Sequence, residues 1–319
     1  MVTAASGAQP LRIVFCGTPE FAVPTLEAVV AAGHDVQLVV TQPDRASGRG
    51  LEFSAPPVKR KALELGLPIT QPEKIRNNAE FQAQLAAIAP DVILVVAYGR
   101  IIPQWMLDLP KHGNLNLHAS LLPKYRGAAP IQWAVANGER ITGNTTMRID
   151  AGLDTGDILL QSEVAIGPSQ TAEDLFSVLA VDGAALMVET LRRLNAGMVH
   201  ARRQDGASAT LAPILTREDG RIDFARDAQT IFNRWRGFQP WPGAHTTFRG
   251  KKFIVHAMQV AGSKAEPGEL VVHDEELFVS CANGTALRLD VVQVEGKKRM
   301  AAAEFLRGYQ IKAGERLGA

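Results

Sequence analysis

The sequence predicts a doubly wound, mainly parallel α/β sheet followed by a small C-terminal β-barrel of the OB-like type. Three observations support this prediction. Apolar strand-like runs alternate with amphipathic helical segments, the pattern then weakens, and short strands separated by Gly-containing turns follow. We therefore expect a disordered lead at 1–10, an α/β domain at 11–199, a linker at 200–216 and the barrel domain at 217–319.

The first part of the chain alternates strands and helices as a parallel sheet requires. Buried strands are predicted in LRIVFCG, DVQLVVTQ, DVILVVAYG and GNLNLHAS. Helices are predicted between them, in TPEFAVPTLEAVVAAG, VKRKALELG, FQAQLAAIA and IPQWMLDLP. The polar, Gly-rich run at 44–54, DRASGRGLEFS, predicts a loop.

The segments after the last parallel strand change character. TGNTTMRID and ILLQSEVAI predict an antiparallel pair, and residues 171–197 predict the longest helix, with Thr171 and Glu173 at its start and Gly197 at its end. Beyond the helix ARDAQTIFNRWRG, the short strands are HTTFRG, KKFIVHAMQV, GELVVH, ELFVSCA and TALRLDVVQVEG. This spacing is typical of a small barrel.

The composition excludes several classes of protein. The 319 residues are 46% hydrophobic and 21% charged, with a net charge of +1, as in ordinary globular enzymes. Cys16 and Cys281 are far apart and predict two reduced thiols, hence a cytoplasmic location. The sequence contains no apolar run of about 20 residues, so a membrane span is not predicted. We expect a monomer without a bound metal.

The charge is unevenly distributed along the chain. Residues 1–205 contain 18 Lys and Arg against 20 Asp and Glu, whereas residues 206–319 contain 16 against 13. The mildly basic C-terminal third is compatible with a nucleic-acid partner but does not require one.

The first strand-to-helix turn does not predict a dinucleotide or phosphate loop. Its sequence, Gly17-Thr18-Pro19-Glu20, lacks the G-x-G-x-x-G spacing, and Pro19 occupies the turn. Gly17 is explained by the conformational freedom that a tight turn needs. A nicotinamide or flavin cofactor is therefore not expected.

Polar residues stand at the end of the fourth predicted strand. Asn116 and His118 are two apart, so their side chains share one side of the strand, at the end where open α/β sheets bind ligands. A buried pair that only satisfies its own hydrogen bonds is an alternative. The following loop, SLLPKYRGAAP, contains Pro123 and Gly127, and a polar loop in this position favours a functional site.

A second polar stretch, IDAGLDTGD at 149–157, contains three carboxylates and two glycines. It lacks the alternation and the terminal Glu of a calcium loop. A carboxylate on such a tight loop can instead orient a histidine.

These motifs resemble the 10-formyltetrahydrofolate-dependent formyltransferase family. The similarity rests on Asn116-x-His118, on SLLPKYRGAAP and on GLDTGDIL, which contains Asp154. The resemblance implies a catalytic formyltransferase domain in which Asn116, His118 and Asp154 form the catalytic trio. It also implies a site for the formyl donor, 10-formyltetrahydrofolate, formed by Ser120, Leu121, Leu122, Pro123, Ala97, Tyr98 and Asp150.

Further segments are similar to the branch of that family that formylates methionyl-initiator tRNA. They include TPEFAVPTLEAV, VVTQPDRASGRG, VVAYGRIIP, RGAAPIQWAVANGE and GFQPWPGA, so the resemblance extends from about residue 11 to the end. It implies an RNA partner in translation initiation. The basic residues expected to contact the tRNA are Arg45, Arg49, Lys251, Lys252, Lys297, Lys298 and Arg299.

Two other functions are compatible with the sequence. A sugar-nucleotide N-formyltransferase shares the trio but needs neither the arginine loop nor the basic barrel. An RNA-binding protein without catalytic activity would not need the trio. One departure from the family concerns the segment LAPILTREDG, where relatives often place a Lys and this chain does not. The sequence leaves open whether the linker contacts the tRNA without that Lys.

Overall fold

The computed structural model describes residues 9–47, 52–262 and 265–318. By their internal contacts these residues form two compact units. The first unit lies within Met1–Gly127, Ile141–Ala165 and Phe176–Ala212, and the second within Ala128–Arg140, Ile166–Leu175 and Pro213–Ala319. The domain boundaries predicted from the sequence remain predictions, because each unit consists of three separate stretches of the chain.

The elements up to residue 195 alternate strands with helices. In chain order they are β1 (Arg12–Gly17), α1 (Val23–Ala31), β2 (Asp35–Val40), β3 (Arg45–Ser47), β4 (Glu52–Ser54), α2 (Pro57–Glu64), β5 (Ile69–Thr70), α3 (Ala79–Ile88), β6 (Val92–Val96), α4 (Gln104–Leu107), β7 (Asn114–His118), α5 (Pro130–Ala136), β8 (Ile141–Arg148), β9 (Ile158–Ala165) and α6 (Ala172–Asn195).

The first unit is built on a seven-stranded sheet of order β5-β2-β1-β6-β7-β8-β9. The strands from β5 to β7 are parallel, whereas β8 and β9 are antiparallel. All five residues of β6 are buried, because helices cover both faces of the parallel part. The prediction of a mixed, mainly parallel α/β sheet is confirmed. This topology places the carboxyl ends of β1, β2, β6 and β7 at one edge.

The second unit contains a six-stranded antiparallel sheet. Its elements are α7 (Ala228–Gly237), β10 (Ala244–Phe248), β11 (Lys251–Gly262), β12 (Leu270–His273), β13 (Glu276–Ser280), β14 (Thr285–Val294), β15 (Met300–Ala301) and α8 (Ala302–Gly308). The strand order is β10-β11-β14-β13-β12, and β15 pairs with β14. Phe248, Phe253 and Phe305 are buried together in its core.

The C-terminal segment connects the two ends of this antiparallel sheet. Leu317 donates its backbone N–H to the carbonyl of Gly268, next to β12, at 2.9 Å. Gly318 donates to the carbonyl of Thr247 in β10, also at 2.9 Å. Because Leu317 is buried, the segment is part of the core of this unit.

Two local predictions need correction, and a third is confirmed. Residues 44–54 are not only loop, because β3 and β4 pair as an antiparallel hairpin. The predicted cap of α6 at Thr171 is confirmed, because Thr171 and Asp174 each accept the other's backbone N–H with their side chains. The sequence pattern also missed α8, which is only seven residues long.

Candidate active site

The ends of β6 and β7 place the predicted site residues at one edge of the sheet. His118 is the last residue of β7, and Ala97 and Tyr98 directly follow β6. The carbonyl of Tyr98 accepts a hydrogen bond from the Gln42 side chain at 2.9 Å, which ties this turn to the end of β2. The turn is unusual because Ala97 has a left-handed φ of 46°.

Asn116 and His118 lie two residues apart on β7, so both side chains project from one face. His118 is buried, whereas Asn116 is partly exposed. Within the described ranges, the Asn116 amide forms no hydrogen bond with another residue. The structure therefore does not show the alternative in which Asn116 and His118 hydrogen-bond each other. The amide of Asn116 is available to donate to a ligand.

The imidazole of His118 is held between a carbonyl and a carboxylate. Its Nε2 lies 2.9 Å from the backbone oxygen of Tyr125. Because a carbonyl can only accept, this contact requires the proton of the neutral ring to be on Nε2. The other nitrogen, Nδ1, carries the lone pair in that neutral form and lies 3.7 Å from Oδ2 of Asp154.

Asp154 is held in an uncommon conformation for a residue with a side chain. Its φ is 51°, in the left-handed region. Its Oδ2 accepts the backbone N–H of Gly127 at 2.8 Å, which orients the carboxylate towards His118. Asp150 stabilises the start of the same loop, because its carboxylate accepts hydrogen bonds from Gly152 N–H and from the Thr155 hydroxyl.

The loop after β7, predicted to bind the folate, is fixed by side chains of β8 and β9. Thr145 donates its hydroxyl to the carbonyl of Ser120 at 2.6 Å and accepts the backbone N–H of Leu122 at 3.2 Å. Gln161 donates to the carbonyl of Leu122 at 2.9 Å. Leu121 is partly exposed, and the peptide between Leu122 and Pro123 is cis. The loop therefore has one defined conformation beside His118.

The predicted linker contributes residues to this site that the sequence pattern did not reveal. Thr210 accepts the backbone N–H of Tyr125 with its hydroxyl and that of Arg126 with its carbonyl, both at 2.9 Å. Gln204 bonds both Arg126 and the backbone around Asp154. Residues 200–216 showed only weak periodicity and small polar side chains. No local signal distinguishes such a segment from a free linker.

A charged cluster anchors the hairpin that was predicted to contact RNA. Lys59 donates to both carboxylate oxygens of Asp44, at 2.9 and 2.7 Å, and Gln71 donates to the same carboxylate. These hydrogen bonds, with that of Lys59 the larger contribution, lower the pKa of Asp44. Arg45 bonds the Gln42 side chain at 2.8 Å. Arg49 lies outside the described residues.

The basic residues predicted in the C-terminal part lie at one end of its sheet. Lys251 and Lys252 begin β11, and Phe253 pairs with Val294 of β14. Glu295 donates its backbone N–H to the carbonyl of Lys252 at 2.8 Å, so the turn that follows β14 lies beside the start of β11. That turn contains Lys297, Lys298 and Arg299, and all five basic side chains are exposed.

The second unit also contains a cavity of about 730 Å³. Lys252 is one of its lining residues, together with Arg221 and His245, whereas Glu218 and Asp223 contribute carboxylates. Burial, followed by the nearby charges of Lys252 and Arg221, lowers the pKa of His245. None of the predicted catalytic residues lines this cavity.

The described residues show neither a metal-ligand cluster nor a membrane-spanning helix. Among those residues, no three His, Cys, Asp or Glu side chains are grouped as a metal ion would require. In the same part of the chain, no helix has the length and apolar character needed to cross a bilayer.

Comparison with known proteins identifies the family. Residues 11–191 match the formyl transferase family, and residues 214–310 match the formyl transferase C-terminal domain. A methionyl-tRNA formyltransferase of Acidobacterium capsulatum is 66% identical over 97% of this chain and 100% of its own length. One from Koribacter versatilis is 62% identical over 96% of this chain and 98% of its own length.

A solved structure has the same fold at low sequence identity. WlaRD, a sugar 3N-formyl transferase crystallised with dTDP and 5-N-formyl-THF, superposes with a TM-score of 0.65 and 18% identity. The match covers 91% of this chain and 100% of that one. The two matched domains, the near full-length relatives and the shared fold agree, and the chain belongs to the formyl transferase family.

Proposed function

We propose that this chain transfers the formyl group of 10-formyltetrahydrofolate to the α-amine of methionyl-initiator tRNA, a cytoplasmic step of translation initiation. The observation that carries the proposal is the identity of 66% to a methionyl-tRNA formyltransferase over 97% of the chain. It is supported by Asn116 and His118 on β7, with Asp154 beside the His118 ring. A match to the family alone would not show which amine accepts the formyl group. The near full-length identity, including the C-terminal unit, favours the tRNA.

In this proposal Asn116 stabilises the charge that develops on the formyl oxygen. The amine attacks the formyl carbon, the carbonyl π electrons move to oxygen, and the amide N–H of Asn116 donates to that oxyanion. One preorganised donor of this kind contributes about 3 kcal/mol to transition-state stabilisation. The side chain suits this role because it is partly exposed at the edge of the sheet and forms no hydrogen bond within the described ranges.

His118 moves the proton in the same proposal. The attacking amine loses a proton as its bond to carbon forms, and N10 of the folate gains one as its bond to carbon breaks. The Nδ1 lone pair of His118 accepts the first proton and returns it to N10. Between the two transfers the ring is an imidazolium, and the carboxylate of Asp154 lies 3.7 Å from its Nδ1, so the two opposite charges attract.

The folate is proposed to bind along the ends of β6 and β7. Ala97 and Tyr98 provide backbone groups on one side, and the loop of Ser120, Leu121, Leu122 and Pro123 provides the other. Asp150 belongs to the neighbouring loop. The support for this assignment is that the hydroxyl of Thr145 and the amide of Gln161 hold the Ser120–Pro123 loop beside His118. A rigid loop at the carboxyl end of a parallel sheet is a suitable ligand site.

The tRNA is proposed to contact two basic regions. The first is the segment at 44–51, whose sequence includes Arg45 and Arg49. The second is the exposed group of Lys251, Lys252, Lys297, Lys298 and Arg299, on a sheet that we assign to the OB type, in which basic strand surfaces bind oligonucleotides. No tRNA contact is proposed for the segment in which relatives often place a Lys, because this chain has Ala212, Pro213, Ile214 and Leu215 there.

The second candidate function is formylation of an amino sugar nucleotide. The fold similarity to WlaRD favours this function, but identity to that protein is only 18%. One experiment separates the two functions. The purified chain is given 10-formyltetrahydrofolate with either charged initiator tRNA or a dTDP-amino sugar, and formyl transfer is measured. We expect product with the tRNA only, and activity confined to the sugar nucleotide would refute the proposal.

A further inference from the structure

We propose that Gln204 is a positioning residue for the catalytic histidine, an inference that rests on the proposed function. Gln204 lies in the segment that the sequence predicts as a linker, about 50 residues beyond Asp154 along the chain. Its side chain is nevertheless buried, with 9% of the residue exposed. A buried carboxamide must find partners for two donors and for the lone pairs of its oxygen.

The Gln204 carboxamide forms four hydrogen bonds with two different loops. Its Oε1 accepts from Nε and Nη2 of Arg126, at 3.0 and 2.7 Å. Its Nε2 donates to the carbonyls of Asp154 and Gly156, at 2.9 and 2.7 Å. One side chain therefore links the loop after β7 to the loop between β8 and β9, and it has no bonding capacity left over.

These two loops provide the two groups that contact the His118 ring. Tyr125, which precedes Arg126, offers its carbonyl to Nε2. Asp154, whose carbonyl Gln204 holds, offers its carboxylate to Nδ1. A shift of either loop relative to the other would change the tautomer or the orientation of the ring. The Gln204 link thus controls the geometry on both sides of His118 without contacting the ring itself.

Both contacting residues have a conformation that needs external support. Tyr125 and Asp154 have φ values of 61° and 51°, which residues with a Cβ rarely adopt. Such backbones persist when surrounding interactions hold them in place. The Gln204 bonds to the Asp154 carbonyl and to the Arg126 side chain supply part of this support.

The backbone of the same segment is attached independently of Gln204. Thr210 accepts the N–H groups of Tyr125 and Arg126, and Ala212 donates its N–H to the carbonyl of Arg126 at 2.7 Å. A change of the Gln204 side chain therefore leaves the segment bound to the loop. This arrangement lets the positioning role be tested in a protein that still folds.

Two substitutions remove different parts of the link. Gln204→Leu keeps a similar volume and removes all four hydrogen bonds. Gln204→Glu retains acceptors for Arg126 but places a carboxylate oxygen against the two carbonyls. Asp205→Ala is the matched control, because Asp205 only caps the turn at Ala207 and Ser208 in the same segment.

The experiment measures kcat and KM with charged initiator tRNA, together with the ¹⁵N signals of the His118 ring without ligands. We expect both Gln204 variants to lose about 100-fold in kcat, as small misplacements of catalytic groups do, with little change in the KM for tRNA. The ring signals should change from a single Nε2-protonated tautomer to a mixture. Asp205→Ala should match the unaltered chain in both measurements.

Several outcomes would overturn the positioning role. These are unchanged kcat and ring signals in both variants, an equal loss of kcat in Asp205→Ala, or failure of both variants to fold, which would assign Gln204 to stability alone. If the unaltered chain fails to formylate the tRNA, the proposed function is wrong. The ring signals then still decide whether Gln204 positions His118.

Discussion

His118 and Asp154 are neighbours in the structure, with Nδ1 of the imidazole 3.7 Å from Oδ2 of the carboxylate. This separation is too long for a hydrogen bond but short enough for an ion pair once the ring is protonated. The neutral ring is instead held by the carbonyl of Tyr125. If His118 accepts a proton as proposed, the carboxylate of Asp154 is the negative charge that faces its Nδ1.

Asp154→Asn should reduce kcat by about 100-fold or more, because the imidazolium loses its opposite charge. The side-chain oxygen of Asn can still accept the N–H of Gly127, so the loop should keep its conformation. Turnover and folate affinity are measured together. Normal turnover with intact folate binding would contradict a role for the carboxylate charge.

Asn116→Ala should lower kcat by about 10²–10³-fold, the usual effect of losing one oxyanion donor. The protein should fold normally, because the Asn116 side chain forms no hydrogen bond within the described ranges. Single-turnover rates and thermal unfolding are the measurements. Thr146→Ala on the adjacent strand is a control for local packing, and an equal loss of rate there would argue against a specific role for Asn116.

Arg49→Ala should weaken the use of tRNA and leave folate binding almost intact. This prediction comes from the Gly-flanked arginine in the sequence, since Arg49 itself lies outside the described residues. The measurements are kcat/KM for charged tRNA and the Kd for the folate. Arg60→Ala is a suitable control for removing a single arginine, and equal effects of the two changes would refute a special function of Arg49.

Substitution of Lys251 and Lys252 by Ala should reduce the salt dependence of tRNA binding. For each phosphate group that the variant no longer neutralises, the slope of log K against log salt concentration should decrease in magnitude by about 1. Lys74→Ala removes one exposed cation from the first unit as a control. A slope identical to that of the unaltered chain would show that this end of the antiparallel sheet does not contact RNA.

The pH dependence of stability should reflect the anchor of the hairpin. Lys59 and Gln71 lower the pKa of Asp44, so its contribution is present above the unfolded-state pKa and is lost as pH falls through the folded-state pKa. Asp44→Asn should therefore be less stable than the unaltered chain at pH 7, and the difference should shrink below about pH 4. Urea unfolding at several pH values measures this, with Glu80→Gln as control. A difference independent of pH would contradict the ion-pair anchor.

Much of the fold and part of the site can be predicted from local patterns. The apolar run before Tyr98 and the run ending at His118 predict buried strands because both faces of a parallel sheet are covered. The two-residue spacing of Asn116 and His118 predicts a shared face because side chains alternate along a strand. By contrast, the hairpin pairing of β3 with β4 was not predicted, since a polar, Gly-rich run has no clear periodicity.

By itself the sequence determined most of the order of strands and helices, apart from β3, β4 and α8. It also determined the residue types at the end of β7 and the resemblance to formyltransferases, because these depend on periodicity and on short motifs. Only the tertiary structure decided which groups contact the His118 ring and that Gln204, from a segment of weak periodicity, holds them together. The Gln204–Arg126 contact joins residues 78 positions apart. Such contacts arise from the packing of distant segments, which no local pattern of residues encodes.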